Sequence, residues 1–387
     1  MNLQKYIILN LKMHKTISLF CKGNITNIPP VYNYALALID CGFYVKLYVG
    51  EAQDETIQFL LAHGEGRLQI TNFKLENKNK LKKWMEFRKL AIQNLDYSTI
   101  VWYATLDTAI VMYGKHLKAN KFIISVLELY DSATSYTRFF LKKILPLADK
   151  VIVPEYNRAA ILKTWYNLRD IPFVLPNKPY KIELLHESDN IKELKEKIST
   201  FANGRKILIY QGLITPERNI DNIIKAVEYL KNDVCIILMG TDFNYVDHLI
   251  NIGGEKQVLY IGNISSPNHL LLTSFADIGI VSYNYIDLNN IFCAPNKIWE
   301  YAAFNKAMLG NDVPGLKYMI EYHNAGICVN TEILENIIEG LKKIVANYSE
   351  FSANSQKFFN SFDLKDALYG ILNEENCDYS IKNTYED

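Results

Sequence analysis

The hydrophobic positions of this chain follow two alternating patterns. Apolar runs of roughly four to eight residues, typical of buried strands, precede segments in which apolar residues recur every three or four positions, as in amphipathic helices. The segment 220–230 shows the helical pattern most clearly, with apolar residues at 220, 223, 224, 227 and 230. Strand, loop, helix and strand in this order predict an α/β fold with parallel sheets.

This strand and helix rhythm runs through the chain twice. Between the two series, three prolines fall within residues 172–179, and a charged helix is predicted at about 191–200. At 387 residues, the chain exceeds the size at which one hydrophobic core keeps growing. We predict a first domain over 1–180, a linker over 181–204, a second domain over 205–350, and a C-terminal helix with a tail over 351–387 that can cross back.

Composition narrows the class of protein. Basic and acidic residues balance at 42 each, so bulk attraction to nucleic acid is not expected. The six cysteines and seven histidines lack metal-ligand spacing, so we expect neither a disulfide framework nor a metal site, and we expect cytoplasmic thiols. No segment approaches the roughly 18 consecutive apolar residues of a transmembrane helix. The sequence therefore predicts a soluble or peripheral protein.

One segment departs from this charge balance. Residues 74–89 contain seven basic and two acidic residues, with aromatic and aliphatic side chains between them. A solvated loop that runs into a surface helix explains this composition. Contact with anionic lipid headgroups explains it equally, and an enzyme that acts on a lipid-linked acceptor needs such a surface.

The stretch 294–301 (APNKIWEY) carries the most informative polar pattern. Pro295 suits the first turn of a helix, and at about 100° per residue Asn296, Lys297 and Glu300 share one face. Free N–H groups at a helix start bind anions, and Lys297 adds positive charge. Glu300, one turn deeper, can accept hydrogen bonds from hydroxyl groups. A sugar nucleotide offers both a diphosphate and a ribose diol, although an ordinary amphipathic helix start would have the same pattern.

Other polar candidates follow predicted strands. In the second domain, Gly212 follows the first strand, and Arg218 lies at the next helix start. In the first domain, Glu128 and Asp131 follow the strand at 122–127, where ligands bind in open α/β sheets. Neither a G-x-G-x-x-G run nor a Walker A loop is present, which argues against dinucleotide and nucleoside triphosphate sites of those types.

Taken in order, these residues resemble the nucleotide-sugar domain of GT-B glycosyltransferases, specifically the large retaining family 4. Residues 275–283 (FADIGIVSY) match the family's xADxxVxPS pattern, and residues 294–316 match SPNKxxEYxAxGxPVxxxDxPGL. The resemblance covers residues 200–330 well and 98–180 more faintly. It implies two doubly wound, Rossmann-like domains that face each other across a cleft.

The resemblance also implies roles for the site residues. Arg218 and Lys297 would hold the donor diphosphate and act in catalysis, and Glu300 would bind the ribose hydroxyls. Asn296 and the helix N–H groups would support the phosphates, next to Gly212. Such enzymes require no metal or other cofactor and use a nucleotide sugar, UDP- or GDP-linked, as substrate.

Three positions depart from the family pattern. Phe292 stands where the E-x7-E motif has its first glutamate, with Glu300 as the second. Leu213 stands where a second basic residue usually follows the glycine, and Leu127 stands where a histidine often precedes the glutamate of the first domain.

The sequence thus predicts a retaining hexosyltransferase. It would move a sugar from a nucleotide sugar to a glycan or lipid-linked acceptor in bacterial surface polysaccharide synthesis, in the cytoplasm at the inner face of the cell membrane. Two alternatives stay open. A sugar-nucleotide epimerase of the same fold would release altered sugar nucleotide without an acceptor. A non-catalytic partner subunit would bind the nucleotide without hydrolysis or transfer.

Overall fold

The protein consists of two α/β units. A computed structural model describes residues 16–114, 121–130, 135–182 and 187–373. One unit comprises the chain up to residue 181 and again from 363, and the other comprises residues 182–362. Each unit contains a parallel sheet, which confirms the predicted class of two Rossmann-like domains. Within the described ranges, no helix is long and apolar enough to cross a membrane.

The sheet of the first unit has seven strands in the order β3-β2-β1-β4-β5-β6-β7. The strands are β1 Thr16–Asn24, β2 Tyr44–Glu51, β3 Leu68–Asn72, β4 Ile100–Tyr103, β5 Phe122–Ser125, β6 Lys150–Val153 and β7 Phe173–Val174. The helices are α1 Pro29–Asp40, α2 Asp54–His63, α3 Lys80–Gln93, α4 Leu106–Met112, α5 Ser135–Ile144 and α6 Tyr156–Tyr166. The strand order reverses between β1 and β4, which is the usual place for a ligand in such a sheet.

The sheet of the second unit has six strands in the order β10-β9-β8-β11-β12-β13. The strands are β8 Lys206–Gln211, β9 Val234–Met239, β10 Val258–Tyr260, β11 Ile278–Val281, β12 Ala307–Asn311 and β13 Gly326–Val329. The helices are α7 Asp189–Ala202, α8 Asp221–Tyr229, α9 Val246–Gly253, α10 His269–Thr273, α11 Leu288–Ile291, α12 Asn296–Ala303, α13 Pro314–Ile320, α14 Leu334–Ala346 and α15 Tyr348–Asn360. Here the order reverses between β8 and β11, so their carboxyl ends lie side by side.

The segment expected as a linker, residues 181–204, differs in the structure. Most of it forms α7, and Ile191, Ile198 and Ala202 on this helix belong to the buried core of the second unit. The helix is charged along its exposed side, but its apolar side packs against β9 of the sheet. The second unit therefore begins before α7 instead of at residue 205.

The C-terminal region also differs from the single helix expected within residues 351–387. The structure has two helices, α15 and then α16, Leu364–Asn373. Helix α15 belongs to the second unit, where Phe358 stacks on Trp299 with ring centres 4.4 Å apart. Helix α16 belongs to the first unit and packs against α1. The chain therefore returns to its first domain after residue 362.

Helix α12 rests directly on the centre of the second sheet. The fully buried Tyr301 donates its hydroxyl hydrogen to the carbonyl oxygens of Ile209 (3.2 Å) and Ile280 (3.3 Å), on the two central strands. Gly279 makes this approach possible, because a Cβ atom there would lie 2.2 Å from Cδ2 of Tyr301. The packing of one tyrosine on one glycine thus sets the height of α12 above the sheet.

Candidate functional site

A glycine turn opens the site at the carboxyl end of β8. Gly212 has a φ of +134°, a backbone conformation that L side chains rarely adopt, and its N–H donates to the carbonyl oxygen of Met239 at 2.9 Å. A Cβ atom at Gly212 would lie 3.2 Å from Nζ of Lys297. The turn therefore brings exposed backbone against this ammonium group, and a side chain here would crowd it.

Helix α12 begins one residue later than the sequence pattern predicts. Pro295 precedes the helix in an extended conformation, with φ −73° and ψ 137°, so the expectation that it forms the first turn is wrong. The proline ring restricts φ alone and leaves ψ free to be extended. Asn296 and Lys297 instead form the first turn, and Pro295, which precedes them, caps none of the N–H groups with its side chain. These groups are available to an anion.

The structure brings Arg218 and Lys297 together around one aromatic ring. The guanidinium carbon of Arg218 lies 5.0 Å from the ring centre of Tyr283, and Nζ of Lys297 lies 5.8 Å from the same centre. The Lys297 ammonium is also 4.8 Å from the ring of Tyr210. Both rings hold the cations in place by cation–π attraction without cancelling their charge.

Lys297 is poorly placed to stay protonated in the free protein. Burial, and then repulsion by the charge of Arg218, lower its pKa from 10.5 to about 7, although Glu300 acts in the opposite direction. Among the described residues, no carboxylate lies within ion-pair distance of either cation. An anion bound here would therefore restore the charge of the lysine and neutralise the repulsion.

Glu300 lies in a buried polar cluster. It is only 7% exposed, and its Oε2 accepts a hydrogen bond from the side-chain amide of Gln211 and lies 3.4 Å from Nε2 of His269. Thr273 in turn donates to Oε1 of Gln211 at 2.8 Å. In the described part of the chain, these contacts all involve one carboxylate oxygen, so Oε1 of Glu300 can accept from a ligand hydroxyl.

Sequence reasoning missed Gln211 and His269, which contact Glu300, and Thr273, which holds Gln211. The available signal was a polar residue, Gln211, at the end of an otherwise apolar strand. Two positions of this unit, Phe292 and Leu213, depart from the family pattern. Phe292 is the C-cap of the short helix α11, and its N–H donates to the carbonyl oxygen of Leu288 at 2.9 Å. Leu213 is 45% exposed beside the glycine turn.

The other candidates belong to the first unit. Glu128 is exposed after β5, whereas Asp131 lies outside the described residues. The carbonyl oxygen of Leu127 accepts a hydrogen bond from the buried side chain of Arg158 at 2.6 Å. No three His, Cys, Asp or Glu side chains of the described ranges form a group that can hold a metal ion.

The low pKa of Lys297 can be measured directly. In a titration followed by NMR of the lysine Cε signals, we expect one lysine to titrate at about 7 and to disappear in Lys297→Met. Arg218→Met should raise this pKa, because it removes a repelling positive charge. Lys178, whose pKa burial lowers to about 8, serves as the control and should not move. A Lys297 pKa near 10, or one insensitive to Arg218→Met, would refute this electrostatic description.

Comparison with known proteins shows which family and which folds this chain resembles. A family model described as glycosyl transferases group 1 matches residues 191–358, which contain every residue of the second-unit site. No curated protein sequence matches the chain.

Three solved structures illustrate the likeness in fold. HepE from Anabaena, in complex with UDP and glucose, has a TM-score of 0.71 at 13% identity over 93% of this chain and 99% of HepE. Sucrose-phosphate synthase from Thermosynechococcus elongatus has a TM-score of 0.67 at 14% identity, over 93% of this chain and 98% of that one. WaaG, a glycosyltransferase involved in lipopolysaccharide biosynthesis, has a TM-score of 0.63 at 13% identity, over 92% and 98%.

These comparisons confirm two of the predictions made from sequence. At such low identity the structural likeness shows the fold, and the family match over residues 191–358 adds the activity class. Residues 191–358 match the model of the group 1 glycosyl transferases, and the protein is a glycosyltransferase with the GT-B fold.

Proposed function

We propose that the protein transfers a hexose, with retention of configuration, from a UDP- or GDP-linked donor to a glycan or lipid-linked acceptor of bacterial surface polysaccharide. The observation that supports the donor most strongly is the pair of cations, Arg218 and Lys297, held without a carboxylate partner among the described residues. We favour UDP as the carrier, because HepE structures contain UDP or UDP-glucose. WaaG, with its role in lipopolysaccharide biosynthesis, supports the choice of product.

In this proposal, the two cations stabilise the departing nucleoside diphosphate. Negative charge grows on the diphosphate as the bond to the sugar breaks, and preorganised charge at that place lowers the barrier. Arg218, Lys297 and the N–H groups at the start of α12 provide that charge, and no metal ion is required. Charge-assisted hydrogen bonds of this kind contribute roughly 1.5–3 kcal/mol each.

The neighbouring groups position the nucleotide. We propose that Oε1 of Glu300 accepts hydrogen bonds from the ribose hydroxyls, while Gln211 and His269 hold Oε2. Asn296, in the first turn of α12, would support the phosphates. Gly212 would allow them to lie close to the backbone, because a side chain there would reach the Lys297 ammonium.

We propose that the protein meets its acceptor at the inner face of the cell membrane, and that residues 74–89 contact this membrane. On α3, Leu81 is 65% exposed and Met85 is 63% exposed, and residues four apart share one helix face. Exposed Lys82 and Lys89 lie beside them, and each contributes about 1 kcal/mol near anionic lipid. Phe87 and the rest of the inner face are buried, which keeps the outer face available to the headgroups.

The donor proposal is tested by first screening nucleotide sugars for thermal stabilisation of the protein. With the best donor, release of nucleoside diphosphate is measured in Arg218→Met and Lys297→Met. We expect at least about a tenfold loss of turnover in each, equivalent to roughly 1.4 kcal/mol of barrier. Glu300→Gln should mainly weaken nucleotide binding, because a neutral amide is a weaker acceptor for the ribose diol.

Lys225→Met, which removes an exposed lysine of α8, is the matched control and should keep wild-type turnover. Near wild-type rates in both site variants would contradict the assignment of the donor site. An altered sugar nucleotide formed without any acceptor would identify an epimerase, and binding without turnover would identify a partner subunit.

The membrane proposal is tested by flotation with vesicles of phosphatidylcholine and phosphatidylglycerol. Leu81→Asp with Met85→Asp should reduce binding by at least about tenfold, because it puts two carboxylates into an anionic surface. Leu61→Asp, an exposed leucine of α2, is the control and should have little effect. Equal binding by wild type and the double variant would rule out this contact.

A further inference from the structure

A small cavity of about 160 Å³ opens at the carboxyl ends of β1 and β2 in the first domain. Lys22, from the end of β1, and Glu51, from the end of β2, line one side. Lys80, Lys83 and Trp84, from the first turns of α3, line the other. Three ammonium groups and one carboxylate therefore surround the same space.

The cavity keeps a surplus of positive charge. Glu51 lies 3.7 Å from the ammonium of Lys83, and Lys22, only 12% exposed, pairs with Asp107 at 3.3 Å. Lys80 forms no ion pair with any residue in the described part of the chain. With Lys22 paired to Asp107 and Lys83 paired to Glu51, Lys80 leaves the cavity with a net charge of about +1. Such a surplus in a partly enclosed space favours a bound anion.

Trp84 holds two of these ammonium groups beside the cavity. Nζ of Lys22 lies 4.4 Å from its ring centre, and Nζ of Lys80 lies 5.4 Å from it. The ring attracts both cations through its face but carries no net charge to neutralise them. The aromatic side chain therefore keeps like charges close together, at positions that a multivalent anion can bridge.

The size of the cavity selects among anions. Pockets that enclose a whole drug-sized ligand measure roughly 300–1,000 Å³, so about 160 Å³ accommodates one charged group and leaves the rest of the molecule outside. Lysine binds phosphate as a point charge from any direction, which suits three lysines that converge from two elements.

We propose that this cavity is a phosphate or diphosphate subsite for the acceptor. The proposal rests on the proposed transfer function and adds that the acceptor is anionic. A lipid-linked diphosphate and a soluble phosphorylated sugar share this chemistry. The surface proposed to meet the membrane and the subsite belong to the same helix, α3. Leu81 and Met85 lie on its exposed side and do not line the cavity.

The subsite is tested by calorimetric titration of the full chain with inorganic phosphate and with inorganic diphosphate. Lys80→Gln with Lys83→Gln should weaken binding at least about tenfold. Lys142→Gln with Lys143→Gln removes the same charge from exposed positions of α5 in the same domain and should change the affinity less than about twofold. If the anion bound at the donor site instead, neither double variant would bind it more weakly than the wild type. A difference in affinity between the two double variants therefore locates the binding in the cavity.

Equal affinity in the two double variants, or no binding by the wild type, would overturn the subsite. Vesicles of phosphatidylcholine with phosphatidic acid distinguish the sources. If Lys80→Gln with Lys83→Gln loses more vesicle binding than the control double variant, the result supports a lipid phosphate. If it loses only diphosphate binding, the result supports a soluble acceptor. UDP titrated into the same samples separates this proposal from the donor site. If UDP binds but the two double variants bind diphosphate equally, the subsite alone is refuted. If the double variants differ in diphosphate binding but UDP does not bind, the donor site alone is refuted.

Discussion

The site depends on two positive charges that the second domain holds together without a carboxylate partner among its described residues. Lys297 and Arg218 repel each other, and the repulsion adds to burial in lowering the pKa of the lysine. The sheet maintains this unfavourable arrangement, because β8 and β11 end side by side where the strand order reverses. Tyr301 on Gly279 fixes α12 at that place. Packing of the core thus keeps Arg218 and Lys297 close together despite their repulsion, and a bound anion would reduce that repulsion.

Much of this organisation was predictable because the strands are buried in parallel sheets, whose apolar runs are easily recognised. Helical spacing alone placed Asn296, Lys297 and Glu300 on one face. The bonds that orient Glu300 were not predictable, since Gln211, at the end of β8, and Thr273, on α10, are 62 residues apart in sequence and meet only in the folded chain. The linker prediction failed because α7 buries few apolar residues among many charged ones, so its composition resembles a solvated segment.

The two domains use positive charge in different ways. In the second domain, the charge lies at a helix start beside a glycine turn, positions that the doubly wound topology itself provides. In the first domain, Lys22 of the proposed subsite comes from the carboxyl end of β1, Lys80 and Lys83 come from α3, and Trp84 holds Lys22 and Lys80. On our account, the common fold supplies the donor site, and a feature of this chain selects an anionic acceptor.

The central claim is that a bound diphosphate restores the charge of Lys297, and proton uptake tests it most directly. Calorimetric titration of the protein with UDP at pH 8, in buffers of different ionisation enthalpy, counts the protons bound. With a pKa of about 7, the free lysine is mostly neutral at pH 8, so the account predicts uptake of nearly one proton, which Lys297→Met abolishes. UDP binding without proton uptake by the wild-type protein would contradict it.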